Sequence, residues 1–239
     1  MTTRVSGSII ADTHVLDNPA WASLTGAHAH LAQRYGHAVR YPSDVAPFVA
    51  LADSADEQGW LDLAVLLGAD GTGVVTGASG VPEGWQIVES GQGVQLIATT
   101  LRTEAADEAV RLDRADVPEI LELVARNKPG PFLPRTIELG NYFGIRREGV
   151  LVAMAGERLH PSGFTEISAV CTDAAYRGQG LATRLVRHVG AGIRERGETP
   201  FLHAAAANVD AIRLYEWIGF VLRRETRFIV VRAPGGQRR

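Results

Sequence analysis

The sequence is short of the residues that build disulfides and membrane helices. It has 1 cysteine and 2 methionines in 239 residues, so no internal disulfide can form, and a reducing compartment, the cytoplasm, is expected. No run approaches the roughly 18 apolar residues of a membrane helix, and the start lacks the pattern of a secretory signal. With 24 basic and 27 acidic residues, the net charge of -3 gives no general reason to bind nucleic acid or an anionic membrane.

Metal and thiol chemistry are also poorly represented. Seven histidines occur, but His28 and His30 diverge by ~200° on a helix, and the others show no ligand spacing. We therefore expect no metal site. Cys171 lies within a strand pattern, with Ile167 and Ala169 expected on its face, which favours a packing role. His203 is interpreted as a core histidine, with orientation into a cleft as the alternative.

The first half of the chain predicts a small accessory α/β region over residues 1–106. Helical spacing of apolar residues predicts a helix over 20–36 that stops at Gly36. Short apolar runs separated by glycine-rich turns predict strands at 61–68, 72–77 and 85–90. An alternative interpretation is that the run at 61–68 belongs to a degenerate second copy of the fold predicted for the second half. A polar stretch at 100–109 marks the join.

The second half predicts a mixed α/β domain over 107–232, followed by a tail at 233–239. A strand leads to a helix entered at Asp116, and the three prolines within 128–136 exclude regular structure there. The remaining pattern is a three-stranded meander, then alternating helices and strands. These elements are expected at 142–172, 181–196, 201–207, 208–220 and 222–233.

A glycine-containing turn joins a predicted strand to the helix at 181–196. Gly178 and Gly180 allow close backbone approach, and the unpaired N–H groups at a helix start attract an anion, with Arg177 adding positive charge. The turn has neither the lysine of a P-loop nor the third glycine of a dinucleotide fingerprint. A tight turn that binds nothing but water is the structural alternative.

Two stretches resemble signatures of the GNAT superfamily, the acyl-CoA-dependent N-acetyltransferases. The first, Arg177-Gly178-Gln179-Gly180-Leu181-Ala182, is similar to the family's Q/R-x-x-G-x-G/A loop. The second, NVDAIRLYEWIGF at 208–220, is similar to N-x-x-A-x-x-L-Y-x-x-x-G-F. The resemblance covers about 107–232, and KPGPF and GVLVAMAGERL look most like the glycine N-acyltransferase-like branch. It implies a central mixed sheet flanked by helices and an enzyme that transfers an acetyl group from acetyl-CoA to an amine.

The resemblance also assigns roles to residues. It makes Tyr215 the acid that protonates the departing thiol, and the alternative is a half-buried core tyrosine. It makes Glu166 the candidate base, and the alternative is a solvated glutamate at the start of a strand. It implies direct attack of the amine, without a covalent enzyme intermediate. Contacts with coenzyme A are implied for Val170, Thr172, Arg177, Gly178, Gln179, Gly180, Leu181, Ala182 and Asn208.

The proline-rich segment and the strand after it are the best indication of the acceptor side. Phe132, Arg135, Thr136 and Tyr142 are expected to line it, although the prolines could merely stiffen a connection. An Arg135 that faces the pocket would favour an acceptor with a carboxylate. The expected partner is a small-molecule amine or a peptide N-terminus, and a homodimer is left open. The alternative function is a coenzyme A-binding sensor or interaction subunit without catalysis.

Overall fold

The computed structural model describes residues 14–76, 78 and 80–235. Residues 1–13, which lack the pattern of a secretory signal, and residues 236–239 of the predicted tail lie outside this range. The strands are β1 Gln33–Tyr35, β2 Ala38–Arg40, β3 Val49–Leu51, β4 Thr72–Thr76, β5 Gln86–Ala98, β6 Ala109–Leu112, β7 Tyr142–Arg147, β8 Val150–Glu157, β9 Phe164–Thr172, β10 Thr199–Ala205 and β11 Phe220–Arg232. The helices are α1 Pro19–Leu24, α2 Glu57–Leu67, α3 Val117–Asn127, α4 Leu181–Glu195 and α5 Val209–Ile218.

A large sheet of eight strands organises the molecule, and a three-stranded sheet, β1-β2-β3, accompanies it. The large sheet has the order β4-β11-β5-β10-β9-β8-β7-β6. Among its described strands only β9 and β10 run parallel to each other, and the other neighbours are antiparallel. The expected mixed sheet is therefore confirmed. β5, from the first half of the chain, lies between β10 and β11, so the sheet crosses the predicted boundary near residue 106.

Helices cover both faces of this sheet. α4 and α5 pack on one face, where Leu185 and Ile218 join a core cluster with Leu96 of β5 and Phe220 of β11. α3 packs on the opposite face over β8 and β9. α1 and the turns around it cover the rest of that face, where Phe201 of β10 is buried. Strand alternation explains this division, because neighbouring residues of β10 enter different clusters.

The elements of the second half follow their sequence patterns. α3 buries Val117, Ile120 and Leu123, which recur at intervals of three residues along one face. The three predicted strands of 142–172 are β7, β8 and β9. α5 ends at Gly219, whose φ of +112° suits glycine, and a Cβ there would lie 2.5 Å from the backbone N of Leu101.

Two predictions for the first half are wrong. Residues 61–68 lie mostly in α2, not in a strand. Leu61 and Val65 are exposed while Trp60 and Leu63 are buried, so a mainly apolar run that contains Asp62 concealed a helical face. The helix over 20–36 is also wrong, because α1 ends after six residues and Gly36, with φ +50°, forms the turn between β1 and β2. The predicted strand at 72–77 corresponds to β4, and the one at 85–90 is the beginning of the longer β5.

Candidate active site

β9 and β10 form a wedge because they pair only where they begin. The pairs run from Phe164–Thr199 to Glu166–Phe201, and no later pair joins the two strands. Beyond this point β9 continues along β8, and β10 continues along β5. Residues 167–172 and 202–205 therefore border an open wedge whose wide end lies at the carboxyl ends of both strands. Main-chain groups along such a gap are free to bind a ligand.

A β-bulge in β9 lies on one side of the wedge. Met154 of β8 opposes Cys171 and Gly156 opposes Ser168, so β9 has one extra residue between these pairs. Ala169, with φ +53°, is in the left-handed region. A bulge leaves main-chain groups unpaired, and this supports the expected contact at the Val170 backbone.

The bulge also corrects the predicted alternation of β9. Beyond Glu166 we expected Ile167, Ala169 and Cys171 to share a face. Instead, Val170 packs with Ile167 beside α4, whereas Ala169 and Cys171 pack on the opposite face. The extra residue reverses the alternation after Ser168. Cys171 is nevertheless buried, as expected, and burial raises the pKa of its thiol to about 12, which makes it a poor nucleophile.

The loop after β9 presents unsatisfied backbone donors at the wide end of the wedge. Gly178 and Gly180 have φ of +76° and +74°, and α4 begins directly after Gly180 without a side-chain cap. Among the described residues, no protein acceptor binds the backbone N–H groups from Gly178 to Thr183. Aligned donors at a helix start form a site for an anion.

The side chains of this loop hold it in place. Arg177 donates to Asn127 Oδ1 at 3.0 Å and to the Thr172 carbonyl at 3.3 Å, which ties the loop to α3 and to the end of β9. The Gln179 carbonyl accepts from Arg184. Leu181 is buried under the sheet, whereas Ala182 is half-buried. The hydroxyl of Thr172 is buried and has no hydrogen-bond partner in the described part of the chain.

Tyr215 lies on α5, the helix that follows β10. It is 8% exposed on α5, and its ring packs edge-on against Phe220 with the centroids 6.0 Å apart. Burial, and to a smaller extent the nearby Cys171 of β9, raises the pKa of Tyr215 to about 12. The hydroxyl therefore stays protonated throughout the neutral range. Asn208 caps α5 through Oδ1, which accepts from the Ala211 N–H at 3.3 Å.

Glu166 is fully buried at the narrow end of the wedge, where the two strands separate. Arg158 binds both of its carboxylate oxygens, at 2.8 and 2.6 Å, and His203 Nδ1 lies 2.7 Å from Oε1. Burial alone would raise the pKa of this carboxyl, but Arg158 and then His203 lower it to about 2. Glu166 is therefore an ionised and fully occupied carboxylate, not a solvated charge.

A buried polar chain continues from His203. Its Nε2 lies 3.1 Å from Gln95 Nε2, and Gln95 is held in turn by Arg223 and by the Leu16 carbonyl. Sequence reasoning interpreted His203 as a core histidine, with orientation into a cleft as the alternative, and did not single out Arg158 or Gln95. For His203, the available signal was its position on the strand two residues beyond Phe201, which puts the two side chains on the same face. Nothing in the pattern marked the other two.

The structure divides the four predicted acceptor residues into two groups. Phe132 and Tyr142 are buried against each other, with ring centroids 5.3 Å apart, and the Tyr142 hydroxyl has no partner among the described residues. Arg135 makes a bidentate pair with Glu138 and a longer contact with Asp44. Thr136 is buried and donates to the Val45 carbonyl at 2.6 Å. The last two side chains thus already have partners within the protein.

Membrane-spanning helices and clusters of metal ligands were also predicted to be absent from the sequence. No helix among residues 14–76, 78 and 80–235 is long and apolar enough to cross a membrane. In the same part of the chain, no cluster of three or more His, Cys, Asp or Glu side chains could hold a metal ion.

Solved structures share this arrangement. In them, a mixed sheet opens between two parallel strands and is followed by a donor-rich loop and a helix. A structure assigned to the GNAT family of acetyltransferases, from Novosphingobium aromaticivorans, is 37% identical, with a TM-score of 0.84, over 92% of this chain and 98% of that one. The chain belongs to the GNAT family. The finer placement in a glycine N-acyltransferase-like branch stays a prediction.

More distant similarities agree with this fold. A GCN5-related N-acetyltransferase from Kribbella flavida matches with a TM-score of 0.58 at 19% identity, over 92% of this chain and 95% of that one. A GNAT-family acetyltransferase from Colwellia psychrerythraea matches with a TM-score of 0.51 at 14% identity, over 84% and 82%. The family model described as FR47-like protein matches residues 142–229, which include the wedge, the loop and α5. No curated protein sequence matched the chain.

Proposed function

We propose that the protein transfers an acetyl group from acetyl-CoA to a primary amine by direct attack in a ternary complex. One observation carries the proposal: at the wide end of the wedge lie backbone amides that no acceptor among the described residues binds, and a protonated tyrosine lies near Cys171 of β9, which borders the same wedge. Acyl transfer from a thioester needs a held carrier, a polarised carbonyl and a donor for the departing sulfur. The site offers a group for each requirement.

The residues of the loop suit a diphosphate. Within the described part of the chain, the amides from Gly178 to Thr183 have no protein acceptor. A side chain at position 178 would meet nothing there within 4 Å, so a ligand can approach the backbone. Arg177 places a fixed positive charge beside these amides. Acetyl-CoA bound there would supply the thioester carbonyl that the amine attacks. The main chain of β9 at the bulge near Val170 and the backbone at Thr172 are the proposed contacts within the wedge.

Tyr215 is the proposed donor to the departing sulfur. Its raised pKa, about 12, keeps the hydroxyl protonated at neutral pH, so it can donate a hydrogen bond as negative charge develops on the sulfur. Asn208 already caps α5, so we propose that only its amide nitrogen is available to the carrier.

The geometry of Glu166 does not favour it as the base. Its carboxyl pKa of about 2 lies far below the value of ~10 for an alkylammonium, and both of its oxygens are occupied. We therefore propose that the amine enters the wedge already neutral. The rate at low acceptor concentration should then rise about tenfold per pH unit until the pH reaches the pKa of the amine.

The acceptor is proposed to be a small-molecule amine or a peptide N-terminus. Phe132 and Tyr142 are the proposed apolar wall, because their aromatic rings pack together in the core cluster that also contains Cys171 of β9. Arg135 could bind an acceptor carboxylate only in competition with Glu138, which holds it through two hydrogen bonds. An acceptor that needs a carboxylate is therefore less favoured than the sequence alone suggests.

Release of free thiol from acetyl-CoA tests the proposal. Acetyl-CoA is incubated with amino acids, polyamines, aminoglycosides or short peptides, each with and without the purified protein. We expect release to increase with at least one amine and the acetylated amine to appear by mass spectrometry. Acetyl-CoA binding without turnover across the panel would favour the non-catalytic sensor instead.

A further inference from the structure

The side chains of Glu166 and His203 join the two strands where the wedge begins. Glu166 and Phe201 form the last backbone pair, and His203 lies two residues further along β10. Had pairing continued in this register, His203 would lie opposite Ser168, where the strands have separated. The 2.7 Å contact from His203 Nδ1 to Glu166 Oε1 therefore spans the first unpaired step.

The surrounding network determines the direction of this hydrogen bond. Gln95 Oε1 accepts from Arg223 at 2.8 Å, and Gln95 Nε2 donates to the Leu16 carbonyl at 2.9 Å. These contacts fix the amide orientation, so its second N–H points at His203 Nε2. Nε2 must then be the acceptor of a neutral ring, and Nδ1 carries the proton that it donates to Glu166.

Neither partner is open to a substrate proton. Arg158 occupies both oxygens of Glu166, whose side chain is fully buried, and Gln95 occupies the lone pair of His203. The side chain of His203 is 6% exposed. Such fully satisfied buried networks fix a single arrangement of the groups that they connect.

We propose that Glu166 and His203 are positioning residues that set how far β9 and β10 separate. They act through the main chain of β9 at Val170 and through β10, not by exchanging a proton with the amine. This inference rests on the proposed function, because the wedge is the proposed site of the thioester. It gives Glu166 a different role from the base that the family resemblance implies.

Two substitutions at one position separate positioning from proton transfer. In His203→Asn, an amide N–H can replace the Nδ1 donor to Glu166, whereas His203→Leu removes the donor and leaves a buried carboxylate lone pair unsatisfied. We expect His203→Leu to raise the KM for acetyl-CoA about tenfold or more, and His203→Asn to stay within about threefold of the wild type. The pH dependence of kcat should be unchanged in His203→Asn.

The controls address folding and the loss of a histidine. His30→Leu makes the same chemical change at an exposed histidine, and should alter neither KM nor kcat. Hydrogen exchange of the amides from 202 to 205 should be faster in His203→Leu than in His203→Asn, and thermal unfolding identifies any variant that fails to fold. If His203→Leu proved unfolded, Glu166→Gln would replace it, with the same rise in KM and exchange expected.

Three results would overturn the inference. The first is that His203→Leu and the wild type have the same KM, kcat and amide exchange. The second is that His203→Asn is impaired as much as His203→Leu. The third is that one limb of the pH profile of kcat disappears in His203→Asn. Failure of the proposed function is distinguishable from these. The wild type would then neither bind acetyl-CoA nor release thiol, while the exchange comparison between the two variants would still report on the wedge.

Discussion

The position of β5 predicts that residues 107–239 do not form the active fold by themselves. β5 pairs with β10 on one side and with β11 on the other, so its removal would leave a gap between the two strands that flank it. It also contributes Val94 and Leu96 to the core beside α4, and Leu101 follows it there. At about 1.5–3 kcal/mol for each buried side chain, these three provide roughly 5–9 kcal/mol, comparable with the whole stability of a typical domain.

The assay is expression of residues 107–239 alone, and together with residues 1–106 as a separate chain. Circular dichroism and thermal unfolding should show no cooperative transition for the fragment alone, and recovery when the first half is supplied. Acetyl-CoA binding should follow the same pattern. A lone fragment that unfolds cooperatively and binds acetyl-CoA like the full chain would refute the reasoning and support the division into separate domains near residue 106.

Three further predictions concern single side chains. Tyr215→Phe should lower kcat by ~10²-fold while the Kd for acetyl-CoA, measured by calorimetry, changes little; unchanged turnover would remove Tyr215 from the mechanism. Gly180→Glu should bind acetyl-CoA at least about tenfold more weakly than Gly180→Gln, which has the same backbone strain without the charge; equal affinities would argue against a diphosphate at this loop. The Glu166 carboxyl, with its pKa lowered to about 2, should contribute on the order of 3 kcal/mol of stability above pH 4.5, lost as the pH falls towards 2. Urea unfolding across this range should show a loss of stability that is smaller by about this amount in Glu166→Gln than in the wild type, because the other carboxylates titrate in both.

The second half of the fold could be predicted from the sequence because its patterns agree at several levels. α3 has an apolar face, a proline in its first turn and three prolines soon after its end, and all of these indicate the same helix. α2 was missed because its apolar residues lie on several sides of the helix, so neither the periodicity of a helix nor that of a strand stands out. The central place of β5 could not be predicted, since pairing between distant strands leaves no local signal.

The candidate site shows the same limit. The loop and α5 carry local signatures, and the structure shows that the loop follows the carboxyl end of β9 and that α5 begins after the carboxyl end of β10. The roles of Glu166 and His203 depend on Arg158 and Gln95, which come from other strands, and on a bulge that reverses the alternation after Ser168. Sequence spacing along one strand cannot reveal contacts of this kind.

The central claim is that the loop amides before and within the first turn of α4 hold the diphosphate of acetyl-CoA. Isothermal titration calorimetry of the full-length protein with acetyl-CoA tests it most directly. The account predicts saturable binding of one carrier per chain, weakened in Gly180→Glu. Absence of binding at millimolar acetyl-CoA, with the protein shown to be folded, would contradict it.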